Sequence, residues 1–200
     1  MHKLTHLVLL LPAIAAAQTH TIHDAPDHLT FDVPTTWTIA AHDHELSTFH
    51  HEARTAPPNT RFRFVAAIAE NPFPLSTFSG AHLYVSLIPK LDKVQCAAQV
   101  NPPPSLARTY VPQPEALSET VPVVGDRKAN HGHDEHGTLC TEYRDDIYTL
   151  SVRNGCLRFD LAMNNFCGGE VSGVRDMTQD EILSVRHQME TILNSVHFDR

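Results

Sequence analysis

Two alternating runs joined by Asn-Gly constrain the fold of this chain more than any other feature. In YTLSVRNGCLRFDL (148–161), apolar and polar residues alternate on both sides of Asn154-Gly155, the pair preferred in a two-residue type I′ turn. Such a turn predicts that Arg153 faces Cys156. One face of the hairpin then carries only apolar and aromatic side chains, namely Tyr148, Leu150, Val152, Leu157, Phe159 and Leu161.

Weaker patterns along the chain predict the rest of the fold. Short strands are expected at 29–33, 37–39, 46–53, 61–69 and 81–88, and LDKVQCAAQV (91–100) predicts a short helix that carries Cys96. Thr178 and Glu181 form a capping box before an amphipathic helix with apolar residues three and four apart. The sequence therefore predicts an α+β fold, a mainly antiparallel β-sheet packed by a short central helix and a longer C-terminal helix.

The N-terminus has the three parts of a secretory signal peptide. Lys3 precedes an apolar run from Leu7 to Leu11, and Ala15-Ala16-Ala17 provides a small-residue cleavage site before Gln18. We predict a signal peptide at 1–17, a flexible N-terminus at 18–27 and a single α+β domain at 28–200. An uncleaved anchor is the alternative, although the apolar run is shorter than the roughly 20 residues of a membrane-spanning helix.

Four cysteines, at 96, 140, 156 and 167, remain after the predicted cleavage. An even number of cysteines in an exported chain predicts two disulfides, with three possible pairings. The expected hairpin register brings Cys140 near Cys167 and leaves Cys96 for Cys156, which favours Cys96–Cys156 with Cys140–Cys167. The alternation changes parity at Asp145-Asp146, where a bulge or turn would shift this register.

Charge and histidine content limit the classes of partner. The net charge is −8, and −9 without Lys3, with no cluster of Lys or Arg, which argues against nucleic acid and anionic membrane surfaces. The chain has 15 histidines, whose reference pKa of about 6.5 would allow an acid-responsive change in stability.

The run HGHDEHG (131–137) is the candidate metal site. His131, His133 and His136 are suitable ligands for zinc or another divalent metal, and a catalytic zinc commonly has three protein ligands. The competing interpretation is a solvated loop, because the run ends a Pro-rich, His-rich excursion at 101–137 and contains flexible glycines. We favour the loop, and we interpret the second run, at His42 and His44, as a polar connection.

No catalytic residue is predicted. The chain has no GxSxG nucleophile motif and no glycine-rich phosphate loop. The carboxylates of Asp145 and Asp146 are adjacent on a predicted strand and would point to opposite faces, so we interpret them as bulge or turn residues.

The opening LTFDVPTTWTI, the antiparallel sheet and a closing helix that ends in ILNSVHF resemble the PsbP/Mog1-type α+β domain. The resemblance covers most of 28–198 and implies a small non-enzymatic binding or accessory domain, without site residues. We therefore predict an exported, non-catalytic binding domain of a bacterial-type cell envelope, periplasmic or extracellular, whose partner is an envelope protein or a small ligand. The alternative is a divalent-metal-binding protein or metal-dependent hydrolase that uses the three histidines of HGHDEHG.

Overall fold

The computed structural model describes residues 18–46, 59–68, 70–101, 122–138, 141–166, 168 and 173–199. The strands are β1 (Thr19–Asp24), β2 (Leu29–Pro34), β3 (Trp37–Ala40), β4 (Arg61–Ile68), β5 (Phe78–Pro89), β6 (Val123–Val124), β7 (Arg127–Lys128), β8 (Asn130–Thr138), β9 (Thr141–Val152), β10 (Gly155–Phe166) and β11 (His197–Phe198). The helices are α1 (Lys93–Ala98) and α2 (Gln179–Asn194), with 3-10 turns at Ala25–Asp27 and Asp43–Glu45. The predicted α+β class, mainly antiparallel, is confirmed, whereas the predicted strand at 46–53 falls almost wholly outside the described residues.

A six-stranded antiparallel sheet in the order β3-β4-β5-β10-β9-β8 forms the centre of the molecule. Its apolar face, which includes Leu150, Leu157 and Phe159, packs against Val185, Met189 and Ile192 of α2 in one large core. Helix α2 begins with the predicted capping box, in which the Thr178 side chain accepts a hydrogen bond from the backbone N–H of Glu181. The predicted C-terminal helix, with its apolar side packed on the sheet, is therefore confirmed.

The predicted register of the β9–β10 hairpin is wrong by two residues. Val152 pairs with Gly155, so the turn consists of Arg153-Asn154 rather than Asn154-Gly155. Gly155 has φ +145°, and a Cβ there would lie 2.2 Å from the carbonyl oxygen of Ile88. The glycine therefore permits close approach of β5 instead of forming the turn. Because the shift is an even number of residues, the same side chains still share the apolar face.

A second sheet has the order β1-β2-β11 and corrects the prediction of a flexible N-terminus at 18–27. Strand β1 pairs with β2 along its whole length, from Thr19 opposite Pro34 to Asp24 opposite Leu29. The Arg63 guanidinium of β4 donates to both Asp24 carboxylate oxygens and ties the end of β1 to the main sheet. Most of β1 is exposed. It therefore lacks the apolar alternation by which a strand is recognised in a sequence.

The predicted excursion at 101–137 is also corrected in part. Residues 102–121 lie outside the described residues, but β6 and β7 form a small hairpin and β8 is the nine-residue edge strand of the main sheet. Gly125, between β6 and β7, has φ +58°, and a Cβ there would lie 1.8 Å from the carbonyl oxygen of Val196. The close approach of this turn to the end of α2 therefore requires glycine.

A disulfide joins Cys96 of α1 to Cys156 of β10, the pairing that the sequence favoured. Helix α1 lies on the face of the sheet opposite α2, where Thr149 Oγ1 donates to the carbonyl oxygen of Cys96 at 3.0 Å. Two disulfides were predicted and one is present in the described residues. Cys140 and Cys167 lie outside them, so that second pairing stays a prediction. Neither helix within the described ranges has the length and apolar character needed to cross a bilayer.

Candidate functional site

Titratable side chains gather on both faces of the sheet near its β8 edge. On the α2 side lie His131, His133, Asp146 and Arg186, which we call the histidine cluster. On the α1 side lie Tyr143, Asp145, Arg158 and Asp160, which we call the aspartate cluster. Strand β9 supplies both, because Asp145 and Asp146 are consecutive residues of one continuous strand and point to opposite faces. The interpretation of these two carboxylates as a bulge or turn was therefore wrong.

The run HGHDEHG is a strand and not a solvated loop. His131 pairs with Tyr148 and His133 pairs with Asp146, so the two histidines share the face that packs towards α2. Gly132 does not make the segment flexible. A Cβ on Gly132 would lie 2.3 Å from the carbonyl oxygen of Val100, and the glycine therefore allows the chain after α1 to pack directly on β8.

The Asp146 carboxylate is the centre of the histidine cluster. Its Oδ1 lies 3.1 Å from His131 Nε2 and 3.1 Å from His133 Nδ1. Arg186 of α2 donates to the same carboxylate, with Nη2 3.2 Å from Oδ1 and Nε 3.1 Å from Oδ2. The His131 ring also stacks on Tyr148, with ring centroids 4.5 Å apart. One carboxylate thus joins the edge strand to the C-terminal helix.

The electrostatics of the cluster favour an ionised Asp146. Burial alone would raise the pKa of this carboxyl, because the charged form loses hydration. Hydrogen bonds from His131 and His133, together with the positive charge of Arg186, outweigh burial and hold the pKa below its usual range. Asp146 therefore remains charged at neutral and mildly acidic pH.

The structure brings together two of the three predicted metal ligands. His131 and His133 converge on Asp146, whereas the side chain of His136, whose backbone pairs with Tyr143, is not described. Within the described part of the chain, no group of three or more His, Cys, Asp or Glu side chains has an arrangement that could hold a metal ion. Glu135, the next residue of this face, is held by Arg144 Nε at 2.7 Å.

The aspartate cluster was not predicted. Arg158 Nε lies 2.8 Å and 2.9 Å from the two carboxylate oxygens of Asp160, and the Tyr143 hydroxyl donates to Asp145 at 3.0 Å. Tyr84 of β5 extends the polar region, since its hydroxyl donates to Asp43 at 3.3 Å. In LRFDL, the alternation puts Arg158 and Asp160 on the face of the strand opposite the apolar one. The sequence does not show that α1 and its neighbours cover this opposite face as well.

Burial perturbs the acids of this cluster strongly. It raises the pKa of Asp145 well above its usual value, and the nearby negative charge of Asp160 raises it further, against the opposing effect of Arg158. Burial likewise raises the pKa of Tyr143, and the Asp145 charge adds to this effect. Burial and the neighbouring Asp160 therefore both favour the neutral form of Asp145.

Further histidines lie outside the histidine cluster. The rings of His42 and His44 stack, with centroids 5.5 Å apart, and His42 forms the N-terminal cap of a 3-10 turn. His82 is buried and stacks on Tyr84 with ring centroids 5.8 Å apart. His187 is exposed on α2.

No protein-family model and no curated protein sequence matches the chain. It is similar to the solved structure of LpqN, involved in cell envelope biogenesis of Mycobacterium tuberculosis, with 9% identity over 90% of this chain and 89% of that chain and a TM-score of 0.45. Cyanobacterial PsbP from Synechocystis has 14% identity over 96% and 99% of the two chains, with a TM-score of 0.40. The Ran-binding protein Mog1p of Saccharomyces cerevisiae has 13% identity over 92% and 96%, with a TM-score of 0.46.

Proposed function

We propose that this chain is an exported, non-catalytic binding domain of the cell envelope. The observation that carries the proposal is the buried disulfide between Cys96 and Cys156. Structural disulfides form and persist in oxidising compartments and are rare where thiol reductants are abundant. The signal-like segment at 1–17 agrees with a periplasmic or extracellular location.

The bonding within the two polar clusters supports a non-catalytic role. Arg158 engages Asp160, Tyr143 donates to Asp145, and Arg186 donates to Asp146 together with two imidazoles. A general acid or base must reach a substrate proton, directly or through one water. The charged groups of these clusters instead engage one another beneath helices, which is typical of polar networks that hold a fold together.

Fractionation of cells that express the full chain tests the export proposal. We expect a mature form that begins at Gln18 in the periplasmic or extracellular fraction, with Cys96 bonded to Cys156 in non-reducing peptide maps. The matched control is Leu9→Arg, which interrupts the apolar run of the signal without changing the mature domain. Unprocessed wild-type chain in the cytoplasm with reduced cysteines would refute the proposal.

Divalent-metal binding at the histidine cluster is the second candidate function. The observation that favours it is the convergence of His131 and His133 on one carboxylate oxygen, each at 3.1 Å, because imidazole and carboxylate together are common zinc ligands. Zinc would have to displace Arg186 from Asp146, and His136 would complete the predicted ligand set. A hydrolase would additionally require an open coordination position for water.

Elemental analysis and zinc titration of the mature protein test this second function. The metal hypothesis predicts stoichiometric zinc in the wild type and none in a triple variant with His131→Ala, His133→Ala and His136→Ala. A control with His42→Ala and His44→Ala retains all three predicted ligands and should bind zinc as the wild type does. Equal uptake by all three proteins, or no uptake by the wild type, would reject the metal hypothesis.

A further inference from the structure

A cleft opens at one end of the main sheet, where the β9–β10 turn meets the chain between β1 and β2. It has a volume of about 300 Å³ and is lined by Pro26, His28, Val152, Arg153 and Asn154. Pockets that bind small molecules begin at about this size, roughly 300–1,000 Å³. Neither the histidine cluster nor the aspartate cluster contributes a residue to it. The cleft is therefore a separate candidate for ligand binding.

Backbone hydrogen bonds hold both walls of the cleft in place. On one side the His28 N–H donates to the Ala25 carbonyl at 3.3 Å, and the His28 carbonyl accepts from the Asp199 N–H at 2.8 Å. On the other side the Asn154 carbonyl accepts from the Lys90 N–H at 3.2 Å. The walls are thus fixed without a ligand. A preformed site of this kind loses little conformational freedom on binding.

Arg153 is the unpaired cation of the cleft. Other arginines of the chain are held by carboxylates, namely Arg63, Arg144, Arg158, Arg175 and Arg186. Arg153 is exposed and has no carboxylate partner among the residues that the structure describes, although the chain has 23 acidic residues. The Asp199 carboxylate accepts from Thr30 Oγ1 at 3.3 Å and does not line the cleft. A free guanidinium presents a planar fork of N–H donors that matches a carboxylate.

The same cleft offers apolar surface to the rest of a ligand. Pro26 lines it with a ring, and Val152 is half-buried and packs against the core behind it. A hydrated inorganic ion gains little from these side chains, whereas an acid with a short hydrocarbon chain buries apolar area against them. The lining therefore favours a carboxylate that is joined to an apolar group.

We propose that this cleft binds a small organic acid, with the carboxylate on the Arg153 guanidinium and the hydrocarbon part against Pro26 and Val152. This inference rests on the proposed binding function and names the class of its ligand. A small acid is favoured over a partner protein because five residues line the cleft, whereas a stable protein interface uses about 20–30 residues a side.

Titration with hexanoate and hexanamide tests the recognition of charge. The two probes have the same number of carbon atoms, and only hexanoate is an anion. Amide NMR spectra of protein purified from cells that express the full chain follow His28, Arg153 and Asn154. We expect hexanoate to shift these amides and to saturate below about 10 mM, because so few ligand atoms support only weak binding. An equal response to hexanamide, or no response to hexanoate, would overturn the proposal.

Arg153→Gln and Arg61→Gln are matched variants for the same titration. Both arginines are exposed, but Arg61 lies on β4 and does not line the cleft. We expect Arg153→Gln to weaken hexanoate binding about tenfold or more, because a charge-assisted hydrogen bond is lost, and Arg61→Gln to leave it unchanged. Arg153→Lys keeps the charge without the fork and should fall between the wild type and Arg153→Gln. Equal losses in both glutamine variants would show non-specific attraction and would overturn the cleft.

Thermal melts separate binding from folding. Substitution of an exposed side chain in a turn should leave the melting temperature at the wild-type value. A clear fall for Arg153→Gln would assign this arginine to stability and would overturn its role in binding.

Two further probes separate the organic acid from other anions. We expect inorganic phosphate to bind more weakly than hexanoate, and tighter phosphate binding would show that the apolar lining is not used. We expect a longer peptide with a free C-terminal leucine to bind no more tightly than hexanoate. Binding of that peptide about tenfold more tightly would assign the cleft to the terminus of a partner protein and overturn the small acid.

The outcomes also distinguish the cleft from the proposed function. Absence of hexanoate binding overturns the cleft and leaves an exported binding domain in place. Unprocessed cytoplasmic protein with reduced cysteines refutes the proposed function on a separate measurement.

Discussion

Replacement of Asp146 by asparagine should destabilise the protein more than any other single loss of charge in the histidine cluster. The carboxylate is 8% exposed and accepts hydrogen bonds from His131, His133 and Arg186. Asparagine keeps one acceptor oxygen but places an NH₂ donor against N–H groups. The variant therefore leaves the Arg186 charge without its carboxylate and turns at least one contact repulsive.

The magnitude follows from these contacts. Removal of one partner of a buried ion pair costs about 3–5 kcal/mol, but Arg186 is 26% exposed and water can partly compensate its charge. We therefore expect a loss of about 2–3 kcal/mol in the free energy of unfolding at pH 7, near the value for hydrogen bonds to charged groups. For a domain of this size the melting temperature should fall by roughly 4–12 °C.

Urea unfolding followed by circular dichroism measures this loss, with Glu142→Gln as the matched control. Glu142 is 49% exposed and lies 3.5 Å from Arg144, so its substitution should cost less than about 0.5 kcal/mol. A loss for Asp146→Asn as small as that of the control would refute the central role of this carboxylate.

The difference in unfolding free energy between the wild type and Asp146→Asn should fall at acid pH. The pKa of Asp146 is lower in the folded state than in the unfolded chain, because the imidazoles and Arg186 outweigh burial. The carboxylate therefore stabilises the fold fully above about pH 4, the unfolded pKa, and loses this effect as pH falls through the lower folded pKa. The difference between wild type and variant should be smaller at pH 3 than at pH 5. An unchanged difference at pH 3 would contradict the reasoning.

Three further predictions concern cross-links and packing. Replacement of Cys96 and Cys156 by alanine should lower the free energy of unfolding by about 4 kcal/mol, because the bridge closes a loop with a sequence separation of 60; the difference should vanish when both proteins are unfolded with reductant. Gly132→Ala should cost roughly 2 kcal/mol or more in denaturant melts, because its Cβ would lie 2.3 Å from a backbone oxygen; a neutral effect would contradict the close approach at β8. Non-reducing peptide mapping should find Cys140 bonded to Cys167, because these cysteines directly adjoin the last paired residues of β9 and β10 in the sequence; two free thiols there would refute the second disulfide.

Much of the fold is predictable because apolar alternation reports which side chains enter the core. The hairpin faces follow from Leu150, Leu157 and Phe159, and helix α2 follows from its capping box and apolar spacing. The hairpin register did not follow. Asn154-Gly155 has the composition of a turn, but Gly155 is required by the backbone of β5, a contact distant in sequence.

The polar clusters were less predictable because polar alternation does not distinguish a solvated face from a buried one. HGHDEHG alternates as an edge strand does, yet without apolar residues it resembles a loop. The alternation places Arg158 and Asp160 opposite the apolar face, and only the second covering layer buries them. Leu75 also gave no signal in composition, since it is notable only for its backbone angle and exposure.

The sequence alone predicted an export signal, and it determined the even cysteine count, the acidic charge and the alternation that makes the chain an α+β sheet protein with a closing helix. These properties are local or compositional, so they do not depend on which distant segments meet. The tertiary structure decided that Asp146 joins two histidines to Arg186, that Asp145 and Asp160 share a buried face, and that His28 and Arg153 line one cleft. Those arrangements depend on strand order and close backbone approach, because contacts between segments far apart in sequence are set only when the whole chain packs.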